Sequence, residues 1–250
     1  MKSLQNKVAL VTGGSKGIGK ALVLKLASQG ANIVFNYAKD EAAANQTVKE
    51  IEELGTKALA IKADSSNIKE IERLFSEAKE NFGKIDIVIA NAGFELIQIA
   101  FTDYTEEQFD KVFNINTKGT FFTMQQAAKH IENNGRIVLI SSSTTVYVNP
   151  GFAVYGGSKI APKYFVEVLA KELGHKGITV NSVIPGATDE AGIFLDMPAD
   201  SPYKKEIIDV TPLGRMGLPK DIADVVSFAV SDEASFITGH HFMANGGASI

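Results

Sequence analysis

The chain has no cysteine and no tryptophan. Without thiols it can form neither disulfides nor thiolate metal sites, which suits a reducing compartment, so a cytoplasmic location is expected. Its four histidines, His130, His175, His240 and His241, do not stand at metal-ligand spacing, and no metal is expected. On a strand the adjacent pair would point to opposite faces, in surface or structural roles. Positive charge is not in excess: 25 Lys and Arg stand against 29 Asp and Glu, and the basic residues are scattered, so nucleic acid is not an expected partner. No stretch of eighteen apolar residues occurs, and the polar start from Met1 to Lys7 lacks signal-peptide character, so neither a membrane span nor an export signal is expected. Repeats, low-complexity tracts and long Pro/Ser linkers are also missing. With 250 residues, 45% hydrophobic and 22% charged, the chain suits a single globular domain over 1–250.

What is present is an alternation. Short aliphatic runs at Val8 to Val11, Asn32 to Phe35, Ala58 to Ile61, Ile85 to Ala90, Arg136 to Ile140 and Thr179 to Ile184 have the length of buried strands. Between them, Gly19 to Ser28, Glu41 to Leu54, Ile68 to Phe82, Thr105 to Ile131 and Ala153 to Leu173 carry helical periodicity. This is the pattern of an α/β fold, a parallel sheet covered on both faces. Gly30, Gly55, Gly83, Gly135 and Gly177 punctuate each return from helix to strand, where left-handed caps are expected. Residues 187–215, interrupted by Pro198, Pro202 and Pro212 among Phe194, Leu195, Met197 and Tyr203, break the regularity and read as a substrate lid.

The first strand runs into Thr12-Gly13-Gly14-Ser15-Lys16-Gly17-Ile18-Gly19 and then a helix. Glycines here permit a tight turn, close approach of a pyrophosphate to backbone N–H groups, and close packing of helix on strand. A turn needing glycine only for its shape is the alternative. The spacing Gly-x-x-x-Gly-x-Gly resembles that of the short-chain dehydrogenase/reductase family. The resemblance implies a single-domain Rossmann fold, a doubly wound seven-stranded parallel sheet in the order 3-2-1-4-5-6-7.

An acid at the end of the second strand would bind a ribose 2′-hydroxyl and repel a 2′-phosphate. That strand ends in Asn36-Tyr37-Ala38-Lys39, with Asp40 next, and Lys16 and Lys39 could supply positive charge, so NADP(H) is the expected cofactor. The resemblance assigns further cofactor contacts to Ser15 and Ile18 in the loop, to Asp64 and Ser65 after the third strand, and to Asn91-Ala92-Gly93 after the fourth. It adds Pro185-Gly186 after the sixth strand, and Thr188. The usual second Asn of the fourth-strand motif is replaced by Ala90, and the Thr common five residues after the Pro by Glu190.

The most specific cluster is Tyr155-Gly156-Gly157-Ser158-Lys159. Four residues apart on a helix, Tyr155 and Lys159 share one face, and the cation would favour ionisation of a phenol whose ordinary pKa lies near 10. Ser142 stands thirteen residues earlier, at the end of the fifth strand within Ser141-Ser142-Ser143; the family spacing selects it, with Ser141 or Ser143 as structural residues. Asn116, in Asn114-Ile115-Asn116-Thr117-Lys118-Gly119, matches the fourth catalytic residue, implied to hold a water that relays protons from Lys159. Asn114 competes for that place, and either Asn could mark a helix kink or a buried hydrogen bond. The implied reaction interconverts a carbonyl and a secondary alcohol by hydride transfer.

The YGGSK motif and the closing Ile237-Thr238-Gly239 and Asn245-Gly246-Gly247 look most like 3-oxoacyl-[acyl-carrier-protein] reductases. Carrier-protein recognition would need a basic patch, for which Lys129, Lys163, Lys171 and Lys176 are candidates. An apolar pocket from Phe94, Val146, Tyr147, Phe152, Phe194 and Met197 would suit acyl chains or hydrophobic ketones, whereas Glu95 and Glu190 could bind the hydroxyls of a sugar or polyol. A non-catalytic cofactor sensor is the reading from another class. Pro162 should sit in a first turn or at a kink. Family resemblance further implies a homotetramer formed through the two long helices and the C-terminal segment.

Overall fold

The computed structural model describes residues 3–248, so the first and last two residues of the expected 1–250 domain lie outside it. Seven strands, β1 (Val8–Val11), β2 (Asn32–Tyr37), β3 (Ala58–Lys62), β4 (Ile87–Ala90), β5 (Arg136–Ile140), β6 (Thr179–Pro185) and β7 (His241–Ala244), form one sheet. Its order is β3-β2-β1-β4-β5-β6-β7, with every pairing parallel. The aliphatic runs are those of strands buried on both sides, and their alternation divides the core into two layers. Ala9, Val11, Ile33, Phe35, Ile87 and Ile89 pack under helices α1 (Gly17–Ser28), α2 (Glu41–Glu53) and α8 (Pro219–Ala229). Val8, Leu10, Val34, Val88, Ile137 and Leu139 face α3 (Ile68–Phe82), α5 (Thr120–His130) and α6 (Ala153–Leu173). Among the described residues no helix is long and apolar enough to cross a membrane.

Gly30, Gly55, Gly83 and Gly177 take positive φ as expected, but Gly135 does not. There Asn134 is the left-handed residue, at φ 61. Gly135 is needed for a different reason: a Cβ on it would lie 2.5 Å from the Ile131 side chain.

The long helix expected over Thr105 to Ile131 is three pieces in succession. These are α4 (Glu106–Phe113), a π-helical segment (Asn114–Gly119), and α5. Thr105 opens α4 with a reciprocal side-chain cap on Gln108. Pro162 is in neither the first turn nor a helix end; it lies inside the 21-residue α6. A proline there cannot donate to the carbonyl of Ser158, one turn back. That carbonyl instead accepts a 2.8 Å hydrogen bond from the Thr117 hydroxyl of the π-helical segment.

Between β6 and α8, residues 187–215 contain a 3₁₀ turn (Gly192–Phe194) and α7 (Pro202–Val210). The ammonium of Lys204, on α7, is buried against the Asp189 carboxylate at 2.7 Å and the Met197 carbonyl at 2.8 Å. His241 opens β7 and bridges the Ser182 hydroxyl to Glu167, a structural role.

Candidate active site

The C-terminal ends of the strands converge on a cavity of about 690 Å³. One end is built by the glycine loop. A Cβ on Gly19 would lie 1.9 Å from the Gly13 carbonyl oxygen, so only glycine allows α1 to start so close to β1. Asn91 fixes the loop from the side: its amide donates to the Thr12 and Gly13 carbonyls at 2.8 and 3.2 Å. The backbone N–H groups of Asn91 and Ala92 both donate to the Thr12 hydroxyl. Lys16 stands at the N-cap of α1 without any side-chain cap, and the first turn holds no acid. The helix therefore presents N–H donors and partial positive charge to the cavity with no side chain consuming them, the donor set a pyrophosphate requires.

Asn36, at the end of β2, is buried and fully engaged. Its carbonyl oxygen accepts from Gly13 N at 3.0 Å, and its amide donates to the Ala63 carbonyl and the Ser65 hydroxyl. It holds the loop's shape more than it offers a contact. Asp40 accepts from Ala43 N as the N-cap of α2, which commits the nearest acid to a helix end. Asp64 accepts from the backbone and hydroxyl of Ser66. Every residue expected to contact the cofactor lines the cavity except Lys39, which is exposed outside it. Among the described residues neither Lys16 nor Lys39 forms a salt bridge.

Toward the other end, Ser142, Tyr155 and Lys159 line the same cavity. Ser142 stands two residues past the end of β5, and its oxygen accepts from the Thr144 hydroxyl at 2.9 Å and, at 3.3 Å, from Thr144 N. With its acceptor side so occupied, its own proton is turned toward the Tyr155 phenol oxygen, where an incoming carbonyl oxygen can take it over. Ser141 is buried with no partner for its hydroxyl, and Ser143 begins a 3₁₀ turn. Lys159 is buried, its ammonium 3.3 Å from the Ile140 carbonyl and 6.0 Å from the centre of the Tyr155 ring. A Cβ on Gly93 would come within 3.1 Å of that ammonium and 3.3 Å of the Asn116 carbonyl oxygen, so glycine keeps this corner open.

Asn116 is completely buried and does not line the cavity. Its side chain clamps the chain after β4: the carbonyl oxygen accepts from Phe94 N at 2.8 Å, and the amide donates to the Phe94 carbonyl and the Ser158 hydroxyl, each at 2.9 Å. Asn116 lies in the π-helical segment, and the buried hydrogen bond weighed for this Asn is present. Asn114 is the last turn's cap of α4.

Burial is the main influence on both titrating groups. It lowers the Lys159 ammonium from the ordinary 10.5 to about 8, against a smaller opposing pull from Glu95. Burial also pushes the Tyr155 phenol above its ordinary value, with Glu95 adding to the rise and a hydrogen bond with Ser142 opposing it. In the protein alone, burial sets the direction for the phenol, with the Lys159 ammonium 6.0 Å from the ring centre. Tyr155 is left protonated near neutrality, with a proton to give.

Of the expected apolar wall, Phe94, Tyr147, Phe152 and Phe194 line the cavity, and Val146 and Met197 do not. Glu95 lines it; Glu190 does not. Leu195 and Tyr203, named within 187–215, also line it; sequence reasoning missed Ile193, Ile207 and Arg215, which that segment brings to the cavity, and Asn245 after β7 as a cavity residue. The one signal for the first three was the apolar, proline-broken character of that segment. Lys129, Lys163, Lys171 and Lys176 all lie off the cavity. Lys129 is in the last turn of α5, Lys171 in the last turn of α6 and Lys176 in the 3₁₀ turn after it, toward the N-terminal ends of the strands.

Residues 13–249 match the family described as Enoyl-(Acyl carrier protein) reductase. The chain belongs to the short-chain dehydrogenase/reductase family. It is 41% identical over 258 residues to the hydroxynaphthalene reductase-like protein Arp2 of Metarhizium anisopliae, covering 99% of this chain and 96% of that protein. Versicolorin reductase 1 of Dothistroma septosporum is 43% identical over 256 residues, covering 98% and 97% of the two chains. A short chain dehydrogenase from Burkholderia cenocepacia, solved in complex with NADP, superposes with a TM-score of 0.92 at 36% identity, covering 98% of this chain and 99% of that one. As a family member the chain is an oxidoreductase.

Proposed function

We propose that the protein reduces a hydrophobic ketone to a secondary alcohol with NADPH. The observation that carries this is the meeting of two chemistries in one cavity: an uncapped helix N-terminus and glycine loop at one end, and Ser142, Tyr155 and Lys159 at the other. Asn36, Tyr37 and Ala38 carry no charge, Asp40 is occupied in capping α2, and the nearby Lys16 forms no salt bridge among the described residues, so the donor set suits a 2′-phosphate. Bound there, the nicotinamide supplies the hydride. Tyr155, kept protonated by burial, gives its proton to the ketone oxygen, and the Ser142 hydroxyl donates a hydrogen bond to that oxygen as charge develops on it. Lys159 holds positive charge beside the phenol below about pH 8 and faces the corner where the ribose would lie. Asn116 acts on this centre by clamping the Phe94 backbone and Ser158.

The aromatic wall and the relatives' names, hydroxynaphthalene and versicolorin reductases, support a ring ketone in preference to a carrier-bound thioester. The placement of Lys129, Lys171 and Lys176 also weighs against carrier docking. Residues 187–215 act as the lid, since Ile193, Tyr203, Ile207 and Arg215 reach the cavity from it. The protein works in the cytoplasm as a homotetramer; the exposed Phe109, Phe121, Tyr164 and Val168 on α4, α5 and α6 provide apolar surface for such contacts. Sedimentation as a monomer at micromolar concentration would contradict that assembly. The direct test follows NADPH absorbance with ring ketones, acyl thioesters and sugars for the wild type and for Tyr155→Phe. Reduction of ring ketones that the Phe variant loses supports the proposal. Equal turnover by the variant removes Tyr155 as the acid, and tight NADPH binding without turnover of any substrate indicates a sensor.

A further inference from the structure

Two residues beyond Gly93, Glu95 puts a carboxylate into the wall of the cavity. One of its oxygens, Oε2, accepts from the backbone N–H of Ile193 at 3.3 Å, in the 3₁₀ turn of the proposed lid. The fit is tight: a Cβ on Gly192, which has φ +54, would lie 2.5 Å from the same oxygen. The other oxygen, Oε1, has no hydrogen-bond partner among the described residues, and Glu95 forms no salt bridge there. Around it stand Phe94, Ile97, Phe194 and Tyr203, which also line the cavity. Lys111 covers Phe94 at 4.2 Å, and Tyr203 stacks on Phe194.

A carboxylate in this setting costs desolvation free energy unless something bonds to it. Burial does push the Glu95 carboxyl above its ordinary range, against smaller opposing pulls from the Ile193 N–H and Lys159. The groups facing it are Lys159 and Tyr155 on α6 and Tyr203 on α7, and none of the three donates a hydrogen bond to it. An ionised carboxylate only accepts, so its complement is a donor, and an uncharged donor within an apolar ring pocket is a hydroxyl.

We infer that Glu95 is a specificity-determining residue that accepts a hydrogen bond from a hydroxyl group on the substrate ring, selecting hydroxylated ring ketones over their unsubstituted counterparts. The inference rests on the ketone-reductase reading and names its substrate class. Held by the lid backbone at one oxygen and by the substrate at the other, Glu95 also ties recognition of that hydroxyl to placement of the 3₁₀ turn.

The test compares kcat/KM for 2-tetralone with that for each of its ring-hydroxylated derivatives, under NADPH, in the wild type, Glu95→Gln and Glu95→Leu. Wild-type protein should favour at least one hydroxylated isomer by roughly tenfold or more, the worth of a hydrogen bond to a charged acceptor. That preference should shrink several-fold in Glu95→Gln, which keeps the shape and an acceptor for Ile193, and vanish in Glu95→Leu. NADPH affinity, measured by fluorescence titration, checks that each variant is folded. A wild type indifferent to ring hydroxyls overturns the inference, as does a preference that survives in both variants. Equal losses for 2-tetralone and its derivatives also overturn it, since they assign Glu95 to holding the lid or charging Lys159. If the wild type reduces none of these ketones, it is the ketone-reductase reading that fails.

Discussion

Replacing Thr117 with Val tests how a proline is accommodated inside the catalytic helix. Pro162 deprives the Ser158 carbonyl of its helical donor, and Ser158 has no solvent exposure, so water cannot take the donor's place. The Thr117 hydroxyl is the partner the carbonyl has, at 2.8 Å. Valine keeps the shape and removes the donor, leaving a buried carbonyl unsatisfied at a cost of about 1–3 kcal/mol. In a chain of this size each kcal/mol moves the thermal midpoint by about 2–4 °C, so a drop of about 4–8 °C is the central expectation.

A double-mutant cycle separates this account from a general loss of packing. Pro162→Ala restores an N–H that can donate to the Ser158 carbonyl in ordinary helical geometry. In that background Thr117→Val should cost less than about 1 kcal/mol, because the carbonyl is no longer orphaned. Urea unfolding of the four proteins, read by far-ultraviolet circular dichroism, supplies the numbers. If Thr117→Val costs the same with and without Pro162, the hydroxyl is not compensating for the proline and the reasoning fails.

Four other outcomes follow from the same structure. Because the folded pKa of Lys159 is lowered to about 8, the unfolded chain binds more protons between about pH 8 and 10.5, so this group's contribution to stability rises with pH across that window. The free protein's ammonium is lost around pH 8, so kcat/KM for NADPH should fall above about pH 8, and Lys159→Arg, which stays charged, should remove that limb from its residual activity. Gly19→Ala places a methyl group 1.9 Å from the Gly13 carbonyl oxygen and should lower both NADPH affinity and the unfolding midpoint; wild-type values for both would mean the loop is free to shift. Lys204→Met removes the buried tie from α7 to Asp189 and Met197 and should raise KM for a ketone more than it lowers kcat, whereas an unchanged KM would separate this contact from substrate binding.

The sheet was legible because parallel strands buried on both faces must be short, aliphatic and separated by helices, and little else produces that spacing. Chain ends of elements were less so. The strand expected from Ile85 begins at Ile87, and β2 runs on to Tyr37 beyond the expected Phe35, because pairing with β3 continues to Lys62. Helix α8 went unread, although Leu218-Pro219 at its start and the apolar face it turns to α1 were there to see. Gly135 shows a limit of punctuation: the residue type was right for a turn, but the neighbouring Asn134 took the left-handed position and the glycine served a contact with Ile131.

The site itself exposes a different limit. A sequence displays which groups a chain owns, while hydrogen bonding decides which of them remain available for chemistry. Asp40 is an acid near the expected ribose, yet its carboxylate is spent on Ala43 N. Asn36 stands at the right strand end, yet its amide is spent on the glycine loop and on β3's exit. Asn116 was expected to hold water, and its side chain is spent on Phe94 and Ser158. Glu95 inverts the pattern, since it has an oxygen left over within the apolar wall of the cavity. Committed polar groups make the site rigid, and the uncommitted ones, the Tyr155 proton and the Glu95 oxygen, are where a substrate must bring its own partners. A ketone with a ring hydroxyl brings one for each end: an acceptor for Ser142 and Tyr155, and a donor for Glu95.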